Sequence, residues 1–460
     1  MPRRTRQWMV NPELQMVFNL REPAARGRVQ IVLAGLCGAA IAGLSTGLFF
    51  TGFLLEAGLD VTDIGLLGGI PFLMSFCTLF TPMLLRPFPK RKKILSISRL
   101  VSHFFSLVVL TMLPMLPAPK PVLLGLMAAA YVISNGANQL FVSGYSAWHF
   151  SFLPGKVRAV YITTQQLVNA AVSAVTLLVT GVLSDMIGRS GDPAMFFRCI
   201  RLLAFGLAVL EVYIFSRPPE PVYKEEDHAR HPLYIFSYAK KHIKFMGTMV
   251  IVFLWNLAAF IGATPYEVYL LQDVGVPYYL ISGLTASFFL FLAVFSTGWN
   301  RLIRKWNWLR TFAVAVMLYA PFSAALGFVT KENYRWMYPG VRGLQLVLFV
   351  GLSITVNNMA YINMPKTGQT AGFSLNIVVS NLGAFTGQML STALVRAGQD
   401  LRFELFGATF GIVTVLLCIQ GALQALSGLY ALLRERALMP EEDDDEDAVV
   451  TEIKAEAPPG

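Results

Sequence analysis

Charged residues are scarce in this sequence. Asp, Glu, Lys and Arg make up 14% of its 460 residues, against about 25% in an ordinary soluble protein. Hydrophobic residues make up 55%, so the chain lacks the polar side chains that a water-facing surface requires. The composition therefore excludes the set of soluble domains that the length alone suggests, and it predicts an all-α membrane protein with many spans.

Signals for metal binding, nucleotide binding and catalysis are also missing. The four cysteines lie in apolar runs without metal-ligand spacing, so we expect neither a disulfide framework nor a metal site. The sequence has no GxxxxGK[ST] phosphate loop and no HExxH pair. We therefore expect no enzyme, no ATP-driven pump and no cofactor.

Long apolar runs predict twelve transmembrane helices, because a helix needs about 20 apolar residues to cross the hydrocarbon core. The predicted spans 1 to 12 are Val29 to Leu55, Ile64 to Leu85, Ile94 to Leu116, Pro121 to Phe150, Ala159 to Leu183, Pro193 to Phe215, Met246 to Leu271, Tyr278 to Trp299, Leu309 to Val329, Leu344 to Ile362, Gly368 to Val395 and Phe406 to Leu433.

The net charge of +10 is a topology signal and does not indicate nucleic-acid binding. With a cytoplasmic N-terminus, the cytoplasmic segments hold 27 Lys and Arg residues and the outer loops hold 7. Cytoplasmic loops carry such an excess in membrane proteins. We therefore expect a multi-pass protein of the cell membrane, embedded in the lipid bilayer, with both termini in the cytoplasm.

The longest connection between spans divides the chain into two halves of six spans. We predict a cytoplasmic arm at 1–28, helix bundles at 29–216 and 246–433, a linker at 217–245 and an acidic tail at 434–460. The linker is aromatic and basic from residue 233 to 245, which favours a short interfacial helix. The tail has too little apolar content to fold, so we expect it to be disordered and cytoplasmic.

The two halves share a repeat. The segment that begins at Phe53, after span 1, resembles the one that begins at Tyr269, after span 7, at an offset of 216. Asn169 and Asn381 correspond at an offset of 212. Common spacing across separate loops predicts two homologous six-helix bundles related by pseudo-symmetry.

The loops resemble those of the major facilitator superfamily over about residues 29–433. The segment from Thr81 to Lys93 keeps the basic part of the family's motif between spans 2 and 3, although Leu85 stands where the family has an acid. The segment from Leu153 to Arg158 is similar to the family's proline-to-arginine connection after span 4. The resemblance implies secondary transport of a small-molecule substrate by alternating access, with a proton or sodium ion as coupling ion. The basic residues predicted to act in orientation and gating are Arg86, Lys90, Arg91, Lys92 and Lys93.

Amide side chains recur at corresponding places in the spans. The residues that we assign to a substrate pathway are Asn135, Asn138, Gln139, Gln165, Asn169, Asn256, Asn357, Asn358, Asn376, Asn381 and Gln388. An unsatisfied amide is costly in hydrocarbon, so such groups face protein or a water-filled cavity. Two interpretations stay open: a cavity for an uncharged polar solute, or interhelical hydrogen bonds worth about 0.6 to 2 kcal/mol each.

Charged groups within spans are fewer. Arg99 and His103 share a face of span 3, where we expect Arg99 to extend to the interface. Arg198 and Arg201 share a face of span 6, where they either extend to the outer interface or form an anion-attracting vestibule. Glu211, at the other end of span 6, is expected to reach cytoplasmic water.

Glu267 in span 7 is our candidate for the residue that couples transport to an ion gradient. An ionised carboxylate costs about 2.5 to 3.5 kcal/mol at a helix centre on insertion scales. Two alternatives remain open: the carboxylate reaches outer water, or it pairs with Arg198 or Arg201. For the protein as a whole, multidrug efflux and a non-transporting receptor or assembly factor remain alternatives to transport of a small organic solute.

Overall fold

The computed structural model describes residues 23–85, 87–88, 90–142, 144–145, 148, 155–218, 242–364, 369–405 and 408–438. Within these ranges, eleven helical segments are long and apolar enough to cross a membrane. Pro193–Phe215 is a further helix of membrane length, which carries Arg198, Arg201 and Glu211. The prediction of a multi-pass helical protein with twelve spans in two bundles is confirmed.

The helical elements of the first bundle are, for span 1, Pro23–Ser45 and Leu48–Glu56; for span 2, Val61–Met74, the 3₁₀ turn Ser75–Phe80 and Thr81–Leu85; for span 3, Lys92–His103, the π turn Phe104–Val109, Leu110–Met112 and the 3₁₀ turn Leu113–Met115; for span 4, Lys120–Gln139; for span 5, Gly155–Ser190; and for span 6, Pro193–Phe215.

The elements of the second bundle are, for span 7, Ile243–Ile261, Ala263–Val268 and the π turn Tyr269–Val274; for span 8, Tyr278–Trp306; for span 9, Trp308–Ala325 and the 3₁₀ turn Leu326–Phe328; for span 10, Tyr334–Asn358 and the 3₁₀ turn Met359–Tyr361; for span 11, Gln369–Ala397; then strands β1 (Arg402–Leu405) and β2 (Ala408–Gly411); and for span 12, Ile412–Leu438.

Phe406, the predicted start of span 12, lies outside the described residues, but the prediction of a helix at residues 408–411 was wrong. Strands β1 and β2 pair antiparallel, with Arg402 of β1 opposite Gly411 of β2. The ring of Phe410 packs 5.3 Å from Phe328 and 6.0 Å from Phe403, between ring centroids. These aromatic contacts hold the apolar residues of the segment in a sheet, and the helix begins only at Ile412.

Two other predicted spans differ from the structure or extend beyond the described residues. The helix Lys120–Gln139 of span 4 is followed by a turn at residues 140–141; residues 142, 144, 145 and 148 are helical again, and the predicted end at Phe150 lies outside the described residues. Span 10 begins at Tyr334 instead of Leu344, so Arg342, which we counted in an outer loop, lies inside a helix.

The acidic tail begins later than predicted. Span 12 continues to Leu438, whose side chain is buried and whose carbonyl accepts a hydrogen bond from Asn363 at 2.6 Å. Glu435 accepts another from Asn307 at 2.8 Å. Residues 434–438 are therefore part of the second bundle. The rest of the tail and most of the predicted interfacial helix lie outside the described residues.

Each bundle has its own apolar core. One cluster of buried side chains joins spans 1 to 4 and 6, includes Leu67 and Phe197, and also contains Val268 of span 7. A second cluster joins spans 7 to 12, with Phe245 and Phe312 near its centre. Apolar residues also pack between the bundles, because Leu48 of span 1 lies in a cluster with Leu270 and Val274 of span 7.

The bundles meet through spans 2 and 11 and through spans 5 and 8. We call the face that carries the ends of spans 6 and 7 at residues 218 and 242 the linker face, and the opposite face the distal face. Gly65 of span 2 lies against Thr392 of span 11, and Gly181 of span 5 lies against Ser282 of span 8. Because both contacts lie in the distal half, the bundles are closed together there.

A carboxylate strengthens the contact between spans 5 and 8. Asp185 accepts hydrogen bonds from the backbone N–H groups of Tyr278 and Tyr279, at 2.9 and 2.6 Å. These groups begin span 8, where the helix dipole favours a negative charge. The first bundle thus caps a helix of the second at the distal face.

Spans 1 and 7 break at equivalent places. The first helix of span 1 ends at Ser45 and that of span 7 at Ile261, which matches the repeat offset of 216. Gly47, in the break of span 1, has a φ of 54°, a conformation that glycine adopts without steric cost. The breaks release backbone groups from helical hydrogen bonds near the middle of the protein.

We predict that Gly383→Ala destabilises the second bundle. An added Cβ at Gly383 would lie 2.5 Å from the carbonyl oxygen of Phe253 and 3.3 Å from the backbone N of Leu257. Backbone atoms yield little, so we expect a cost of about 1 to 3 kcal/mol in unfolding free energy, measured by thermal melting in detergent. Gly283→Ala is the matched control, since its Cβ would meet nothing within 4 Å. Equal melting temperatures for the two variants would contradict this packing.

Candidate transport site

A hydrogen bond between equivalent residues joins the two bundles. The hydroxyl of Thr51 in span 1 donates to Oε2 of Glu267 in span 7 at 2.9 Å, and the two residues are 216 positions apart. That separation equals the repeat offset between the halves. Equivalent positions therefore meet close to the pseudo-two-fold axis, in the distal half of the protein.

Gln388 of span 11 makes a second bridge beside the first. Its side chain is 2% exposed, and its Nε2 donates to the carbonyl of Gly65 in span 2 at 3.2 Å. Its Oε1 accepts from the hydroxyl of Thr264 in span 7 at 3.3 Å. We call Thr51, Gly65, Thr264, Glu267 and Gln388 the distal gate.

A cavity of about 280 Å³ adjoins the distal gate. Apart from gate residues, its lining includes three phenylalanine rings, from Phe50, Phe72 and Phe260. The rings of Phe72 and Phe260 pack edge to face across the two bundles, with centroids 4.7 Å apart. The breaks of spans 1 and 7 also reach the cavity, through Gly47 and Ala263. The site therefore lies between the bundles and draws on both.

Glu267 is half-buried, and it lines this cavity. Among the described residues, its Oε1 accepts no hydrogen bond, whereas Oε2 accepts the one from Thr51. The guanidinium of Arg342 in span 10 is close enough to interact with it electrostatically. The sequence-based assignment of Glu267 as the coupling residue stays a prediction.

Arg201 neither extends to the interface nor forms a vestibule, so both interpretations from the sequence were wrong for this residue; Arg198 is half-buried. Its side chain is 1% exposed and lies 4.4 Å from the centre of the Phe53 ring. Its Nε donates to Thr111 at 2.8 Å, and its other nitrogens donate to the carbonyls of Ser45 and Ser106. Because Ser45 ends the first helix of span 1, Arg201 stabilises the break instead of pairing with Glu267.

Three ionisable residues form a second cluster inside the first bundle. Nε of Arg99 and Nε2 of His103, both in span 3, lie 2.9 Å from the two carboxylate oxygens of Glu211 in span 6. Glu211 is 3% exposed. The expectations that Glu211 reaches water and that Arg99 extends to the interface were therefore wrong. The signal for this pairing was the presence of opposite charges in two spans of one bundle.

Four of the predicted pathway amides are satisfied by their own helices. Each donates from Nδ2 to the carbonyl four residues earlier, at 2.7 to 2.9 Å; these residues are Asn135, Asn256, Asn358 and Asn381. Such bonds occupy one N–H of the amide and leave the oxygen and the second N–H for other partners. They are compatible both with packing and with a lining role.

The other predicted amides are dispersed. Gln388 lies in the distal gate, while Gln165 and Asn169 of span 5 pack against Gly35 of span 1 within the first bundle. Gln139 accepts a long bond of 3.4 Å from Thr78. Asn138 and Asn376 are half-buried, and Asn357 is exposed. Of the amide set, only Gln388 lines the described cavity beside Glu267, so a shared aqueous pathway stays a prediction.

The basic loop lies at the linker face. Lys92 begins the helix of span 3, and its Nζ donates to the carbonyl of Pro218 after span 6 at 3.0 Å. The same ammonium lies 5.9 Å from the centre of the Trp148 ring. Arg91 donates to the carbonyl of Phe88. Lys90 and Lys93 are also described, whereas Arg86 lies outside the described residues, and the gating role of this loop stays a prediction.

We predict that Glu211→Leu costs about 3 kcal/mol of stability, at the low end of the range for a buried ion pair, because it leaves the Arg99 charge, whose side chain is 27% exposed, without its carboxylate. The double variant Arg99→Met with Glu211→Leu should be less destabilised than the sum of the single variants. Thermal melting in detergent measures both effects. Lys120→Gln is the control: it removes the ion pairs of an ammonium whose side chain is 48% exposed with Asp60 and Asp63, for which we expect about 1 kcal/mol. Additive effects in the double variant would refute the pairing.

We also predict that cysteines placed at Asn138, Asn169, Asn357 and Asn381 react with a small hydrophilic thiol reagent in a cysteine-free background. A cysteine at Val350, which is 0% exposed, is the control and should stay protected. Protection at all four sites in both inward-facing and outward-facing conformations would assign these amides to packing.

Comparison with known proteins supplies independent evidence of ancestry. A family model of the Major Facilitator Superfamily matches residues 31–388. A search of curated protein sequences finds no match. Similar solved structures include a mutant of the nucleoside transporter NupG, with a TM-score of 0.68 and 10% identity over 88% of this chain and 99% of that chain.

A bacterial homologue of the iron transporter ferroportin, in its inward-facing state, has a TM-score of 0.66 and 11% identity over 90% of this chain and 98% of that chain. A D-xylose-proton symporter has a TM-score of 0.60 and 14% identity over 90% of this chain and 98% of that chain. At these identities the structural likeness shows the fold alone. The family match over most of the sequence goes further, and the chain belongs to the major facilitator superfamily.

Proposed function

We propose that the protein is a secondary active transporter that moves a small organic solute across the cell membrane by alternating access. The observation that carries the proposal is the cavity between the bundles, which holds a half-buried carboxylate bonded to its symmetry-equivalent threonine. A site on the pseudo-two-fold axis is contacted by both bundles. Rocking one bundle against the other therefore exposes it first to one side of the membrane and then to the other.

The distal gate explains how Glu267 could link an ion to this motion. Opening the distal side requires the loss of the bonds from Thr51 to Glu267 and from Gln388 to the carbonyl of Gly65. The carboxylate accepts hydrogen bonds when ionised, and when protonated it also donates one. Binding a proton at Glu267 would thus change the bonds available to the gate. A sodium ion bound by the same oxygens is the alternative coupling ion.

Multidrug efflux and a non-transporting role are the alternatives. The cavity is slightly smaller than the roughly 300 to 1,000 Å³ typical of sites for drug-sized ligands, which favours a small solute over a large drug in this conformation. A receptor or assembly factor would not require a hydrogen-bonded gate around a carboxylate. Flux through the reconstituted protein separates a transporter from a non-transporting receptor or assembly factor.

We predict that Glu267→Gln uncouples transport. The amide resembles the protonated carboxyl in shape but cannot exchange a proton. In proteoliposomes, with a labelled nucleoside, D-xylose and benzylamine as probes at saturating concentration, the variant should retain exchange of the transported probe. It should lose accumulation driven by a pH gradient or, if sodium is the coupling ion, by a sodium gradient.

Glu404→Gln, in the exposed strand β1, is the control and should accumulate the probe as the wild type does. Normal gradient-driven accumulation by the Glu267→Gln variant would remove Glu267 from the coupling mechanism. Absence of flux for every probe in the wild-type protein would favour the non-transporting alternative.

A further inference from the structure

Glu267 contributes the only charged side chain among the residues that line the described cavity. The rest of the lining is apolar, aromatic or neutral and polar. We propose that the substrate is a small organic cation, such as a protonated amine attached to an apolar group. This inference rests on the proposed transport function and names the substrate class of the same site.

The carboxylate of Glu267 has unused capacity for hydrogen bonds. Its two oxygens can accept about four, and among the described residues it accepts one, from Thr51. An ammonium group has three N–H donors and no acceptor. Bonds between an ammonium and a carboxylate are charge-assisted and are roughly twice as strong as neutral ones. The Oε1 atom of Glu267, which accepts no hydrogen bond among the described residues, can therefore accept one from the ammonium group of a cationic substrate.

The aromatic lining favours the same class of solute. Phe50, Phe72 and Phe260 present rings to the cavity, and ring faces attract cations within about 6 Å of the centroid. The same rings pack against the apolar part of an amphiphilic molecule. The cavity volume of about 280 Å³ limits that molecule to less than drug size.

The nearby cations do not provide an anion site. Arg201 lies 5.5 Å from the centre of the Phe50 ring, and its nitrogens bond protein oxygen atoms. Arg342 interacts electrostatically with Glu267, but it donates to Gln345 and is absent from the cavity lining. An anion in the cavity would meet the Glu267 carboxylate without a guanidinium in contact. A neutral solute would form no charge-assisted bond between opposite charges with that carboxylate.

A substrate cation that binds Glu267 also determines how transport is coupled to a proton gradient. The cation and a proton would bind the same carboxylate, so binding of one would displace the other. The expected overall reaction is then exchange of an organic cation for a proton, with no covalent step. The Thr51 hydroxyl can donate to the carboxylate while either of them is bound.

The test uses three probes of similar size: benzylamine, which is protonated at neutral pH, benzyl alcohol and benzoate. Isothermal titration of the purified full-length protein in detergent should show benzylammonium binding at least tenfold more tightly than the other two. Glu267→Gln should remove this preference by lowering benzylammonium affinity at least tenfold. Phe260→Leu keeps an apolar side chain without a ring and should weaken benzylammonium binding several-fold. Glu404→Gln is the control and should bind as the wild type does.

Equal affinities for the three probes, no binding of benzylammonium, or unchanged binding by the Glu267→Gln variant would overturn the cation assignment. The melting temperatures of all variants are measured to detect misfolding. If the Glu267→Gln variant fails to fold, the Phe260→Leu variant and the binding of the three probes to the wild type still test the site. Flux of D-xylose or a nucleoside without benzylammonium binding would refute the cation and preserve transport. Selective binding without flux of any probe would preserve the cation site and refute transport.

Discussion

Hydrocarbon offers no hydrogen bonds, and this constraint organises the polar groups of the structure. Each charge taken into a span needs partners inside the protein. Arg201 bonds the carbonyls of Ser45 and Ser106 and the hydroxyl of Thr111. Glu211 is held by Arg99 and His103. Glu267 differs from both, because one of its oxygens accepts no hydrogen bond among the described residues and the carboxylate lines a cavity.

The breaks in spans 1 and 7 follow from the same constraint. A helix interrupted in lipid would expose backbone groups to hydrocarbon, whereas both breaks here reach the inter-bundle cavity. In span 1, Arg201 satisfies a carbonyl at the break, and Gly47 supplies the required left-handed turn. The breaks let Thr51 and Glu267 approach each other across the pseudo-two-fold axis. The residues at the two breaks therefore help to position Thr51 and Glu267 in the distal gate.

Much of the fold could be predicted from the sequence, because length, hydropathy and the repeat are properties of the chain itself. The offset of 216 even relates Thr51 to Glu267, although their contact could not be foreseen without the packing of the bundles. The pairing of Arg99 with Glu211 depends on helix rotation, which periodicity does not determine. The hairpin before Ile412 was missed because its apolar residues resemble those of a helix.

We assign different roles to the carboxylates of Glu211 and Glu267: a structural role to Glu211 and a role in transport to Glu267. Glu211 is 3% exposed, and its two oxygens are bonded by the Arg99 guanidinium and by the His103 ring, so it can bind a substrate only by losing bonds that hold spans 3 and 6 together. Glu267 can bind one through its free oxygen while keeping Thr51. Breaking that contact during gating costs one hydrogen bond from a hydroxyl to a carboxylate, about 1.5 to 3 kcal/mol, whereas breaking a buried ion pair costs about 3 to 5 kcal/mol. A gate that must open on every cycle is better built from the weaker interaction, and this argument favours Glu267 over Glu211 as the transport residue that we propose.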